Sequence, residues 1–124
     1  MRPTTIELFR IEGGVLIRSV VPSRGRGGAY EHACTLAVFE SVCHAIDELN
    51  GQPTALDDLV ARTGLPHTQV NTALAFLKER GCIVPARGRR HTAATQCVHL
   101  DAMTEFHTLA EQRDDQPSAK VAQP

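Results

Sequence analysis

Two short stretches carry side chains able to read and hold a nucleic acid. The first is PHTQVNT, residues 66–72. His67, Thr68, Gln69, Asn71 and Thr72 bring imidazole, hydroxyl and amide groups and no acid. Gln and Asn pair a donor and an acceptor on one adenine edge, and Thr can touch a thymine methyl or bond through its hydroxyl. The second is PARGRR, residues 85–90, which bunches Arg87, Arg89 and Arg90 on one turn. Guanidiniums placed in this way neutralise phosphates and release counterions, a contribution blind to base sequence. The five residues of the first stretch are the base-reading candidates, and the three arginines are the backbone candidates.

Other chemistry is sparse. The chain has no phosphate loop, no H-E-x-x-H and no G-x-S-x-G, so no enzyme is expected. Four cysteines, none in a C-x-x-C pair, read as reduced and buried rather than bridged. Cys97 and His99 form the tightest grouping of metal-binding residue types, and an extended chain would put them on one face. Zinc-ligand spacing is absent, and neither a metal nor a cofactor is expected. Cys34 and Cys43, nine apart on one expected helix, would fall on nearly opposite faces.

The elements that must position the two stretches lie between Thr54 and Thr92: TALDDLVARTGLPHTQVNTALAFLKERGCIVPARGRRHT. Thr54 precedes an apolar-periodic run and Asp57 lies three residues on, a carboxylate form of the capping box. Leu56, Leu59 and Val60 share one face, and Gly64 can end the helix in the left-handed conformation. Pro66 suits the first position of a second helix. Its buried stripe is expected to be Val70, Ala73, Leu74 and Leu77, with Gly81 closing it. An ordinary exposed helix face favours Glu and Lys; this one opens on His, Thr, Gln and Asn, which are poorer helix formers apart from Gln. Beyond Gly81, Cys82-Ile83-Val84 reads as a strand, the arginine turn follows, and 91–100 reads as a returning strand.

The stretch LDDLVARTGLPHTQVNTALAFLKERGCIV, with the spacing of Leu59, Gly64, Leu65, Val70, Leu74, Leu77 and Gly81, resembles the winged helix-turn-helix of bacterial regulators in the MarR and IclR families. The resemblance covers roughly residues 54 to 94. It implies a second helix that enters the major groove and a wing that contacts backbone or minor groove. His67, Thr68, Gln69, Asn71 and Thr72 would then face bases, and Arg87, Arg89 and Arg90 phosphates.

The rest of the chain reads as support. One domain fits 124 residues. No apolar run is long enough for a membrane span and no signal-peptide pattern opens the chain, so a cytoplasmic location without membrane contact is expected. Net charge is −1, but residues 31–60 hold six acids and no Lys or Arg, while residues 61–91 hold five Arg, one Lys and one Glu. The positive charge concentrates where a nucleic-acid footprint should lie. Residues 4–21 alternate as a hairpin around Glu12-Gly13-Gly14, and 22–28 form a basic connector, which together make a unit of 1–28. Residues 29–50 read as the longest helix, with Leu36, Phe39, Val42, Cys43, Ile46 and Leu49 on its apolar stripe. Asp101 reads as the N-cap of a last helix to about Gln112, closing a domain of 29–112, and 113–124 as a disordered tail.

The expected fold is α+β, mainly α: a winged helix-turn-helix with an added N-terminal β-hairpin and a C-terminal helix. The expected function is sequence-specific binding of double-stranded DNA by a homodimeric transcription regulator. The alternative is a winged-helix module for protein–protein contact without direct DNA readout.

Overall fold

The computed structural model describes residues 5–22 and 28–114, the last two by backbone alone. The expected connector falls mostly, and the tail almost wholly, outside the described residues. The chain is α+β and mainly helical, a winged helix-turn-helix to which a small sheet and a last helix are added.

The N-terminal hairpin consists of β1 (Thr5–Glu12) and β2 (Val15–Pro22), antiparallel and in unbroken register from Thr5↔Pro22 to Glu12↔Val15. Gly13 and Gly14 turn the chain at φ 57° and 79°. Two consecutive positive φ values make the tight turn whose twist matches the strands. A third strand, β3 (Tyr30–Cys34), pairs with β2 from Val20↔Tyr30 to Leu16↔Cys34. Strand alternation sends Ile11, Leu16 and Cys34 inward together, and all three are buried.

That third strand corrects the single helix expected over 29–50. The helix α1 (Leu36–Glu48) starts only after Thr35, whose hydroxyl accepts the Val38 N–H at 3.2 Å. The N-cap interrupts the helical pattern, and before it Cys34 meets Leu16 as a strand residue. Cys34 and Cys43 therefore do not lie on opposite faces of one helix. Both are in the core, Cys43 near Cys34 and Cys82, and burial pushes the thiols up, to about 12 for Cys34 and about 11 for Cys82. Cys97 is the exposed one.

Helices α2 (Leu56–Thr63) and α3 (His67–Glu79), strands β4 (Ile83–Pro85) and β5 (His91–Ala93) and helix α4 (Val98–Asp114) complete the fold. All four phenylalanines meet in the middle. Phe76 of α3 stands edge-on to Phe9 of β1 at 5.4 Å and to Phe39 of α1 at 5.7 Å between ring centroids. Phe106 of α4 joins Phe39 at 5.4 Å. Phe76 lay outside the stripe read from the sequence, yet it is fully buried while Leu74 is only half-buried. The reason is that α3 is covered on two sides, by α1 and by the β3 side of the sheet, so its apolar face is wider than one stripe.

Helix α4 starts earlier than expected, and the strand read over 91–100 ends at Ala93. Asp47 of α1 is the cause. Its two carboxylate oxygens accept the backbone N–H groups of Val98 at 2.6 Å and His99 at 3.0 Å. A helix leaves its first N–H groups without intrahelical partners, and here a side chain 51 residues away supplies the acceptors. Asp101, expected as the N-cap, sits inside the first turn. Cys97 and His99 consequently do not share a strand face. His99 stacks on His44 at 4.1 Å and meets Glu40 at 3.3 Å.

Candidate nucleic-acid interface

Helix α2 begins one residue later than its sequence signal. Ala55 is the N-cap, and the Asp58 carboxylate reaches back to accept the Ala55 N–H at 3.1 Å. Thr54 does not cap. It forms an antiparallel bridge with His91, each N–H bonding the other's carbonyl at 2.8 Å. A β-bridge uses the backbone that a cap would have needed, so Asp58 takes over from the expected Thr54–Asp57 pair. Gly64 ends α2 at φ 73°, its N–H donating to Val60. In the turn, the Thr63 hydroxyl donates to Leu59 at 2.7 Å and accepts from Leu65 N–H at 3.1 Å. Leu65 then packs against the core. These bonds fix the angle at which α3 leaves α2.

The five expected base-reading residues divide. His67 and Thr68 are exposed in the first turn of α3, which holds no acid, and Asn71 is half-buried one turn on. Thr72 is fully buried, with its hydroxyl donating to the Thr68 carbonyl at 2.9 Å. It cannot face a base, because both its methyl and its hydroxyl are used inside the protein. Gln69 is half-buried and also engaged. Its side-chain carbonyl accepts the Thr35 N–H at 3.0 Å and lies 3.4 Å from the Thr35 hydroxyl. It closes the N-terminus of α1, where an acceptor is wanted, so a paired contact with adenine would have to break that cap. Both residues point to the side of α3 that meets α1 and β3, a side the sequence read as outward.

Gln69→Ala is accordingly expected to lower stability by about 1 kcal/mol, the usual net worth of one neutral hydrogen bond. Gln69→Glu, which keeps an acceptor, should recover most of that loss. Thermal melts of the two variants check it. Equal midpoints for wild type and Gln69→Ala would return the side chain to the reading surface.

The wing is the β4–β5 ribbon. Ala86 N–H bonds the Arg90 carbonyl at 2.9 Å to close its turn. Arg87 and Arg89 are exposed at the tip and form no ion pair among the described residues. Arg90 lies 3.6 Å from Asp58, with both side chains about half exposed. Such a surface pair is weak and yields readily to a phosphate. Next to the arginine turn, burial holds the His91 imidazole below its usual pKa and nearby Lys78 adds to the effect. Lys78 is exposed in the last turn of α3. The sequence showed it only as a cation at a helix end, where the dipole favours one anyway.

Among the described residues, no helix is long and apolar enough to cross a membrane. The family described as the DprA winged helix domain has a model that matches residues 45–88. The match runs from the last turn of α1 through α2, α3 and β4 to the wing turn, leaves out β1–β3, β5 and α4, and spans well under half of the chain. No curated protein matches the chain, and no solved structure does. The expected likeness to MarR and IclR regulators is not what the match supports. The chain carries a winged helix-turn-helix similar to the DprA winged helix domain, a fold compatible with DNA binding.

Proposed function

We propose that the protein binds double-stranded DNA in a sequence-specific way and acts, without catalysis, as a homodimeric transcription regulator. One observation carries this reading. The acid-free first turn of α3 exposes His67 and Thr68, and the same domain holds Arg87 and Arg89 on an exposed turn with no ion pair among the described residues. The domain combines groups that read base edges with groups that bind phosphate, the two kinds of contact a DNA reader needs. His67, Thr68 and Asn71 are the base-reading set, with Arg87, Arg89 and Arg90 on the backbone. Gel mobility shift with genomic fragments, followed by footprinting, tests it. Binding of every duplex with equal affinity would remove the specific part of the reading.

The wing gives a separate test. Replacing Arg87, Arg89 and Arg90 together with Ala should weaken binding to all duplexes alike. The slope of log affinity against log salt should flatten by about one for each phosphate no longer neutralised. A slope that stays put would mean that the wing does not touch the backbone.

A protein-contact module is the second reading. The observation in its favour is that Gln69 and Thr72 are committed to the fold, which leaves a narrower base-reading surface. Thr68→Ala and Asn71→Ala discriminate. Under the DNA reading, each costs about 1–3 kcal/mol on the preferred site and little elsewhere. Under the alternative, site preference is unchanged.

A further inference from the structure

Among the described residues, strand β1 is an edge of its sheet, with β2 on one side only. In a hairpin closed by a two-residue turn, the residues flanking the turn exchange both backbone bonds, and every second residue does the same. Glu12 and Val15 flank the turn, so Arg10, Leu8 and Ile6 also direct their N–H and C=O groups at β2. Thr5, Glu7, Phe9 and Ile11 direct theirs away from it. No backbone group of another element bonds to them among the described residues. The strand contains no Pro, no Lys and no bulge, three of the devices that blunt an edge, and its charged Glu7 and Arg10 are paired with Arg18 and Glu31 within the sheet. Thr5, Ile6, Glu7 and Leu8 are exposed in succession, on both faces of the strand. Ile6 and Leu8 are 47% and 57% exposed, and Val21 of β2 lies beside Ile6 at 37%.

We propose that β1 pairs antiparallel with β1 of a second copy of this chain, across a two-fold axis at Leu8, joining the two three-stranded sheets into one. This deepens the homodimer part of the proposed function and does not depend on DNA. The outward backbone groups belong to odd-numbered residues, so a two-fold pairing can centre on Glu7, Leu8 or Phe9. Centring on Glu7 opposes two carboxylates, which repel. Centring on Phe9 sets Ile6 against Glu12 and Leu8 against Arg10. Centring on Leu8 opposes the most exposed apolar side chain of the strand to its own copy and lays Ile6 along the aliphatic stem of Arg10. It also makes Leu8–Leu8 a non-hydrogen-bonded pair, with Cα atoms about 4.5 Å apart, the closer of the two pair types.

That spacing suits a disulfide, whose Cα atoms usually lie about 4.4–6.8 Å apart. In a Cys97→Ser background, Leu8→Cys should cross-link into dimers under mild oxidation, and Ile6→Cys should not. Light scattering at micromolar concentration without DNA should give a dimer for the wild type. Glu7→Pro removes an outward N–H without touching the ladder to β2, and should give a folded monomer. Glu7→Ala controls for removal of the ion pair with Arg18 and should stay dimeric. Leu8→Lys supplies a second disruption should the proline variant fail to fold. A monomeric wild type overturns the proposal, as does a dimer that survives both Glu7→Pro and Leu8→Lys. A monomer whose Glu7 and Phe9 amides resist exchange would mean that the chain covers its own edge, and also overturns it. A failed mobility shift leaves each of these results unaffected, so the two readings fail separately.

Discussion

Phe76→Ala is expected to lower the free energy of unfolding by about 4 kcal/mol, within the usual range for a large aromatic truncated in a packed core. The ring is fully buried and meets Phe9 and Phe39 edge-on, so the variant loses transfer energy, two aromatic pairings and the filling of the space between α1 and the sheet. The Arg80 guanidinium lies 5.2 Å from the ring centroid and loses that contact, though not its ion pairs with Glu79 and Glu105. Against a total of about 5–15 kcal/mol for a small domain, that is a large share. The thermal midpoint should fall by roughly 15–25 °C. Phe76→Leu keeps most of the volume and should cost far less. Urea unfolding of both variants checks the pair, and equal losses would mean that the filled volume counts for nothing beside the aromatic pairing.

Asp47→Ala should cost about 2 kcal/mol. The carboxylate accepts two backbone N–H groups at the start of α4, and bonds to a charged acceptor are worth more than neutral ones. The loss should be local first. Amide exchange at Val98 and His99 should speed up well before the core opens, because the first turn of α4 has no other acceptors for these groups among the described residues. Asp47→Asn keeps one acceptor oxygen and should fall between. Unchanged exchange at both amides would show that α4 holds its start without Asp47.

Periodicity and capping made much of this architecture legible. Leu59, Val70, Ala73 and Leu77 fall in the core as their spacing indicated, and Gly64 and Gly81 take the positive φ values that end their helices. The hairpin was readable from its alternation and its Gly13-Gly14 turn. What was not readable depends on partners distant in sequence. Gln69 looks like a base reader by type and position, and only the approach of Thr35 turns it into a cap. Thr72 reads as polar and therefore outward, but its hydroxyl is satisfied within its own helix, so burial costs it little. Asp47 sits off the apolar stripe of α1 like any solvated acid, and nothing in its neighbourhood announces α4. Strand β3 was hidden because Tyr30 to Cys34 adjoins a strong helix, and its pairing with β2 is a tertiary fact.

The reciprocal bonds between Thr54 and His91 bear on how the wing meets any partner. A two-stranded ribbon with three-residue strands is marginal by itself, and it would normally lose flexibility on docking. Here its returning strand is fastened, at the end next to the arginine turn, to the residue that precedes the N-cap of α2. Wing and helix pair are thus held as one rigid frame before contact. The ordering entropy that weakens association falls on the arginine side chains alone rather than on the backbone that carries them.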